Sequence, residues 1–126
     1  MKIRVYYEDT DCGNVVYYAN YLKYMERGRT EFMRERGVSF AKLHDEGFLF
    51  VVAEAHVKYE APAYYDDLLE VKTTIENKSP VSIIFLTAIT NAKNVPIVTG
   101  SVKVACIQQS DRKLCRIPSE IIERLR

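Results

Sequence analysis

The residues best suited to chemistry lie together near the start of the chain, between positions 7 and 22. Two carboxylates, Asp9 and Asp11, stand in a turn-forming stretch just before a predicted helix. A helix start has unpaired N–H groups and about half a positive charge, so the amides near Tyr17 and Tyr18 can hold the oxyanion of an attacked carbonyl. Asp11 can attack that carbonyl or deprotonate a water that attacks it. A thiol, with a pKa of about 8.5, leaves without acid help, so the pattern favours thioesters over amides.

The same residue types have a purely structural interpretation. Asp9, Thr10 and Asp11 are typical of turns and helix caps, and an aspartate at the start of a helix is stabilising without any catalysis. Taken alone, the residue types favour this structural interpretation over the catalytic one. Composition and spacing therefore leave both interpretations open.

Composition restricts the class of protein. The chain has 126 residues, of which 48% are hydrophobic and 28% charged, a mixture typical of one globular domain and unlike disordered or collagen-like chains. Lys and Arg total 18 against 17 Asp and Glu, so the net charge of +1 gives no general attraction to nucleic acid or to an anionic membrane. We therefore expect neither of these as a partner.

Cysteine, histidine and the hydropathy pattern restrict the class further. The three cysteines form no CxxC pair and the two histidines are scattered, so we expect reduced thiols and no metal site. The charges within residues 1–5 are unlike a signal peptide. The longest uncharged stretch, residues 79–92, is shorter than the roughly 20 residues that span a membrane. These features predict a cytoplasmic protein without a membrane span.

Hydrophobic periodicity predicts the elements that position the Asp9–Asp11 turn. Alternation predicts a strand over residues 2–8 with Tyr7 on its apolar side. Apolar residues three or four apart predict a helix over residues 17–36, which Gly37 ends. Gly28 lies within the apolar stripe of this helix, and this position indicates a close approach to the surface beneath it.

The rest of the chain predicts one sheet. Short helices are expected over residues 39–47 and 118–125, and strands over residues 48–59, 68–77, 81–91 and 95–107. Turns at residues 77–80 and 91–94 make consecutive strands antiparallel. The fold class is therefore α+β: one antiparallel sheet of about five strands with a long helix laid across it, in a single domain over residues 1–126.

Such a sheet has two edges and only one face covered by a helix. An exposed apolar flank, including valines, along residues 48–59 would favour aggregation unless another copy covered it. We therefore expect a homo-oligomer. The alternative is a monomer whose edges are simply short.

Short motifs run in a common order through nearly the whole chain. They are Tyr7-Glu8-Asp9-Thr10-Asp11, Val15-Val16-Tyr17, Ala19-Asn20-Tyr21-Leu22, Glu26-Arg27, Arg29-Thr30-Glu31-Phe32, Gly37, Ala61-Pro62-Ala63, Asp66-Asp67-Leu68, Gly100, Arg112-Lys113 and Ile117-Pro118. In these motifs the sequence resembles the hotdog-fold acyl-CoA thioesterases, specifically the 4-hydroxybenzoyl-CoA thioesterase family and its small bacterial branch associated with the Tol–Pal system. The resemblance implies a hotdog fold, an antiparallel sheet wrapped around one long central helix, assembled as a dimer or a homotetramer.

The resemblance also implies catalytic roles. It makes Asp11 the nucleophile or general base and the backbone N–H of Tyr18 the oxyanion donor. The implied reaction hydrolyses an acyl-CoA to a free carboxylic acid and coenzyme A, with no cofactor beyond the coenzyme A of the substrate. Two positions depart from the family pattern, because Asn14 replaces a common glycine and Tyr18 replaces a histidine frequent in the bacterial branch. A tyrosine does not shuttle protons near neutral pH as histidine does, so the second change bears on substrate preference.

Further residues are expected to contact the substrate. We expect Val16, Tyr17 and Tyr59 to line the acyl site, and Lys78 and Lys58 to hold the phosphates of coenzyme A. Arg112 and Lys113 are weaker candidates for the phosphates, and Tyr64 and Tyr65 are weaker candidates for an acyl tunnel. The alternative is that the basic residues are solubilising charges and that the tyrosines fill a subunit interface.

Two other functions compete with hydrolysis. The first is a non-catalytic module on the same fold that binds acyl-CoA or an acyl carrier, since one fold supports many functions. The second is a hotdog hydratase or dehydratase. That reaction pairs an acid with a catalytic histidine, and neither His44 nor His56 lies in the segment that would supply it.

Overall fold

A five-stranded antiparallel sheet forms the body of the molecule in a computed structural model that describes residues 1–126. Its strands are β1 (Lys2–Arg4), β2 (Phe48–Tyr59), β3 (Leu68–Lys78), β4 (Ser82–Thr90) and β5 (Pro96–Gln108), and its helices are α1 (Asn20–Glu35), α2 (Phe40–Asp45) and α3 (Ser119–Arg124). The strand order is β1-β3-β4-β5-β2, and every pair is antiparallel. The sheet curls around α1, which confirms the predicted α+β hotdog architecture.

Helix α1 lies against the sheet through the apolar stripe that its sequence predicts. Tyr21, Tyr24, Met25, Gly28 and Met33 are its buried residues. A Cβ atom at Gly28 would stand 2.8 Å from the side chains of both Val71 and Thr73 on β3. The predicted close approach at Gly28 is therefore confirmed, because only a residue without a Cβ lets the helix lie this near to the strand.

The end of α1 and the start of α2 follow the predicted signals. Gly37, which follows α1, has a left-handed φ of 78°, a conformation that glycine adopts without steric cost. Ser39 caps α2, since its side chain accepts a hydrogen bond of 3.2 Å from the N–H of Lys42. Both predictions for this part of the chain are confirmed.

The predicted strand over residues 2–8 is too long. Strand β1 ends at Arg4, residues 7–9 form a single 3₁₀ turn, and the side chain of Tyr7 is 77% exposed instead of facing the core. The Asp9 carboxylate accepts a hydrogen bond of 2.8 Å from the N–H of Tyr6, and the Thr10 hydroxyl donates one of 2.8 Å to the carbonyl of Tyr7. These local side-chain bonds compete with strand pairing and turn the backbone.

The predicted start of the long helix is also wrong by three residues. Helix α1 begins at Asn20, not at residue 17, because the N–H of Tyr17 donates to the carbonyl of Asp9 at 2.9 Å and holds this part of the backbone outside the helix. Tyr18 and Ala19 form the turn that leads into the helix. The donor groups of the helix start therefore lie close to the preceding turn.

Strand β2 forms one edge of the sheet. It has 12 residues and pairs only with β5, so its other side carries unpaired backbone groups along its length. The side chain of Val52 on this strand is exposed. None of the helices is long and apolar enough to cross a membrane.

Candidate active site at the start of helix α1

A tight turn carries Asp11. The N–H of Asp11 donates to the carbonyl of Val15 at 2.9 Å, and the N–H of Asn14 donates back to the carbonyl of Asp11 at 3.0 Å. Asn14 has a left-handed φ of 64°, which an asparagine tolerates better than most residues. The asparagine therefore preserves the turn at the position where the family pattern has glycine.

One oxygen of the Asp11 carboxylate is held and the other is free. Its Oδ1 atom accepts a hydrogen bond of 2.8 Å from the N–H of Gly13, whereas Oδ2 has no hydrogen-bond partner within the chain. The side chain is exposed. A carboxylate fixed through one oxygen can present the other to a water or to a carbonyl carbon.

The start of α1 supplies two unpaired donors. The N–H of Tyr17 donates to Asp9, and the N–H of Asn20 donates to the carbonyl of Tyr17 at 2.9 Å. The N–H groups of Tyr18 and Ala19, which lie between these two, have no acceptor within the chain. Unpaired N–H groups at the positive end of a helix dipole favour a developing oxyanion.

Tyrosine rings form a wall beside these donors. The centroids of Tyr17 and Tyr18 lie 4.9 Å apart, and Tyr59 approaches Tyr18 at 6.1 Å and Tyr21 at 5.9 Å. The Tyr59 hydroxyl donates to the carbonyl of Tyr18 at 3.3 Å. This bond does not use the Tyr18 N–H, which stays unpaired. Hydrogen bonding to the Tyr18 side chain raises the pKa of the Tyr17 hydroxyl above its ordinary value. The Tyr17 and Tyr18 side chains therefore interact with each other beside the unpaired donors.

Val16 connects the turn to the core and not to the wall. Its side chain is only 4% exposed and belongs to the main hydrophobic cluster. Its backbone pairs with Thr10 and donates to the carbonyl of Ala63 at 2.9 Å. The Val16 side chain therefore packs in the core, and its backbone holds the turn next to Ala63.

The two lysines predicted to bind phosphate lie apart from the tyrosine wall. The Lys58 side chain is 77% exposed and pairs with Glu60 at 3.7 Å. It lines an open groove of about 660 Å³ on the face of the sheet that is turned away from α1, together with His56 and Lys72. Asp11 and Tyr18 do not line this groove.

Lys78 lies toward the opposite end of α1. Its ammonium group donates a hydrogen bond of 3.2 Å to the carbonyl of Leu125, just after α3. Arg124 at the end of α3 covers Gly37, which follows the C-terminus of α1. With 16 residues, α1 is about 24 Å long, so Lys78 and Asp11 lie near opposite ends of this helix.

Sequence reasoning gave no role to Asn20, although the structure places its side chain in contact with the Asp9–Asp11 turn. The Asn20 amide donates to the carbonyl of Asp9 at 2.9 Å. The sequence shows only a short polar side chain inside the predicted helix of residues 17–36, and nothing next to it indicates a bond to Asp9. No group of three or more His, Cys, Asp or Glu side chains is arranged to hold a metal ion.

Comparison with known proteins identifies the family and similar structures. A family model described as the thioesterase-like superfamily matches residues 5–125. The chain is 41% identical over 120 residues to the acyl-CoA thioester hydrolase YbgC of Escherichia coli O6:H1, covering 95% of this chain and 90% of that protein. It is 38% identical to the acyl-CoA thioesterase YbgC of Haemophilus influenzae, covering 94% and 88% of the two chains. The solved structure of a DHNA-CoA thioesterase from Staphylococcus aureus matches with a TM-score of 0.95 at 27% identity, covering 98% of this chain and 85% of that one.

Proposed function

The chain belongs to the thioesterase-like superfamily, and we propose that it hydrolyses acyl-CoA thioesters at the start of α1, with Asp11 and the backbone N–H of Tyr18 as the catalytic pair. The family match agrees with the resemblance found in the sequence motifs. The proposal rests on two features seven positions apart in the sequence. The Asp11 carboxylate has one oxygen without a hydrogen-bond partner, and the N–H of Tyr18 before α1 has no acceptor. We treat residues 1–126 as one hotdog thioesterase domain.

The geometry supports a simple division of labour. The N–H of Tyr18 donates a hydrogen bond to the thioester oxygen as negative charge develops on it, and the Asp11 carboxylate acts on the carbonyl carbon or on a water beside it. The C–S bond then breaks, the oxygen from water enters the carboxylic acid, and coenzyme A leaves as a thiolate. Because a thiolate is a good leaving group near neutral pH, the site needs no strong general acid.

Two roles for Asp11 give the same products. As a nucleophile it would form a mixed anhydride that water then hydrolyses, whereas as a general base it would activate the water directly. A single turnover in water enriched in oxygen-18, followed by mass analysis of the peptide containing Asp11, tests the anhydride route. Heavy oxygen enters the protein only if water attacks the Asp11 carboxyl carbon of the anhydride, whereas water that attacks the acyl carbon places its oxygen in the acid product in both routes.

The acyl-CoA class rests on the relatives and on the surroundings of the site. The two YbgC relatives carry the names acyl-CoA thioester hydrolase and acyl-CoA thioesterase. Tyr17 and Tyr59 provide an exposed aromatic surface beside the donors, on which an acyl group can pack. Lys58 and Lys78 stay our candidates for the phosphates of coenzyme A, with Lys58 the more accessible of the two.

Self-association completes the proposal. In a single chain Asp11 lies on an open surface, and the long edge strand β2 carries unpaired backbone groups. We propose that a second copy pairs along this edge, giving a dimer or a homotetramer that acts in the cytoplasm. Light scattering of the purified chain tests this, since a mass near 14.6 kDa would show a monomer.

The decisive experiment offers the purified chain a panel of short, long and aromatic acyl-CoAs and follows the release of free thiol. Turnover of at least one substrate, lost in Asp11→Asn, supports hydrolysis. Tight binding of an acyl-CoA without release of thiol would support the competing function, a non-catalytic binding module.

A further inference from the structure

The backbone carbonyl of Asp9 accepts two hydrogen bonds from the start of α1. The first comes from the N–H of Tyr17 at 2.9 Å and the second from the side-chain amide of Asn20 at 2.9 Å. Asp9 stands two positions before Asp11, so the acceptor belongs to the same turn as the catalytic carboxylate. The turn is thus attached to the helix start at two points that are three residues apart.

These two points flank the donors of the proposed oxyanion site. Tyr18 and Ala19 lie between Tyr17 and Asn20, and their N–H groups are the unpaired ones. Tyr17 lies before the first residue of α1, so its bond joins the turn only to the segment that leads into the helix. The bond from Asn20 joins the turn to α1 itself and restricts how far the two can move apart.

The bond from Asn20 is not part of ordinary helix capping. Ala19 occupies the cap position of α1 and makes no side-chain capping bond. The Asn20 side chain bonds outside the helix, to Asp9, and not to the backbone of the helix itself. Asparagine is also a poorer helix former than alanine, so helix stability alone does not account for an asparagine here.

Asp9 is itself fixed from the other side, so it transmits the constraint. Its carboxylate accepts a hydrogen bond of 2.8 Å from the N–H of Tyr6. Behind it the Tyr24 hydroxyl is buried without a hydrogen-bond partner, and burial together with the nearby Asp9 carboxylate raises the pKa of that hydroxyl well above its ordinary value. Asp9 is therefore held through its carboxylate as well as through its carbonyl.

We propose that Asn20 is a positioning residue for thioester hydrolysis, which holds the Asp11 turn in register with the N–H of Tyr18 through the carbonyl of Asp9. This role rests on the proposed function of Asp11 and Tyr18. Asn20 touches neither the substrate nor the reacting atoms, and it acts through the alignment of two groups that do. Small misplacements of catalytic groups are costly, because a shift of about 1 Å lowers a rate by roughly a hundredfold.

The test compares Asn20→Ala and Asn20→Asp with the wild-type chain. Alanine removes the amide donor, and aspartate keeps the shape but places an acceptor against the carbonyl of Asp9. We expect kcat to fall roughly tenfold to a hundredfold in both variants, while KM changes less than about threefold. We expect the melting temperature of Asn20→Ala to stay near that of the wild type.

Asn91→Ala is the matched control. The Asn91 side chain accepts hydrogen bonds from the N–H groups of Lys93 at 2.9 Å and Val95 at 3.0 Å in the turn between β4 and β5, and neither partner belongs to the segment from Asp9 to Asn20. The same substitution there should lower the melting temperature and leave kcat unchanged.

Three results would overturn the proposal. They are an unchanged kcat in Asn20→Ala, full activity in Asn20→Asp, and a loss of activity that only follows the fraction of folded protein. Asp11→Asn, measured in the same assay, separates this failure from failure of the proposed function. If the wild type releases no thiol from any acyl-CoA or Asp11→Asn stays fully active, both proposals fail. If only the Asn20 variants behave like the wild type, the positioning role alone fails.

Discussion

The Tyr59 hydroxyl donates a hydrogen bond of 3.3 Å to the backbone carbonyl of Tyr18, so the last residue of β2 is bonded to the turn that opens α1. This contact joins the edge strand to the residue whose N–H is the proposed hydrogen-bond donor to the oxyanion. It also keeps the Tyr59 ring beside the Tyr18 ring, at a centroid distance of 6.1 Å. The position of the aromatic wall thus depends on the same residue that carries the proposed catalytic N–H.

Tyr59→Phe and Tyr59→Ala separate the hydrogen bond from the ring. Phenylalanine removes a hydrogen bond worth about 1 kcal/mol and keeps the wall, so we expect a small loss of stability and a KM within about twofold of the wild type. Alanine removes the wall as well, and we expect KM to rise severalfold. Equal KM values for the two variants would show that the ring does not contact the acyl group.

Gly28→Ala tests the contact between α1 and β3. Alanine has the better helix propensity by about 1 kcal/mol, but its Cβ would stand 2.8 Å from the side chains of Val71 and Thr73. We expect overpacking to dominate and the free energy of unfolding in urea to fall by about 1–3 kcal/mol. Lys23→Ala, at an exposed position of the same helix, should change it by less than about 0.5 kcal/mol. A more stable Gly28→Ala would contradict the close approach.

Stability should fall at alkaline pH. Burial, with a smaller contribution from Cys115, raises the pKa of the Cys106 thiol from 9.0 to about 12, and burial also raises the pKa of Tyr21 and of Tyr24. Between pH 9 and 12 the unfolded chain releases these protons more readily than the folded chain does, so rising pH favours unfolding. The urea midpoint, measured at successive pH values, should decrease through this range.

Two cysteine variants isolate the contribution of the buried thiol to this alkaline loss. Cys106→Ala removes one of the three groups whose pKa is raised chiefly by burial, so its urea midpoint should depend less steeply on pH above 9. Cys12 is an exposed thiol, and Cys12→Ala should leave the dependence as it is in the wild type. Identical slopes in the wild type and in Cys106→Ala would exclude Cys106 as a source of the effect.

Lys58→Ala tests the recognition of phosphate. Removal of one charge–phosphate contact should raise KM for an acyl-CoA roughly three- to tenfold and leave KM for the matching acyl-pantetheine unchanged, since the latter lacks the nucleotide. Lys78 must release the carbonyl of Leu125 to reach a phosphate, so we expect a smaller rise in KM and a lower melting temperature for Lys78→Ala. Equal effects of Lys58→Ala on both substrates would place its role outside phosphate binding.

Local patterns in the sequence were sufficient for the sheet but not for the start of the site. The bounds of β2, residues 48–59, are predicted without error, because alternation and turn residues are local signals. The end of β1 and the start of α1 are missed because the Asp9 side chain and carbonyl hold the backbone through bonds to Tyr6 and Tyr17. Such bonds depend on the folded path of the chain.

The position of the candidate site residues shows the same division. Motif order predicts that Asp11 precedes a helix and that Tyr18 lies at its start, and in the structure Tyr18 lies in the turn directly before α1. Only the packing of α3 shows that Lys78 bonds Leu125 at the far end of α1, and only the tertiary fold brings Asn20 to Asp9. Contacts between segments that are distant in the sequence leave no periodic signal in it.

The rate of thiol release by Asp11→Asn tests the central claim most directly. Asparagine keeps an oxygen that can accept the hydrogen bond from the N–H of Gly13, so the turn should persist while the negative charge is lost. We predict that kcat falls at least about a hundredfold with the melting temperature nearly unchanged. A folded Asp11→Asn chain that hydrolyses its best acyl-CoA at the wild-type rate would contradict the assignment.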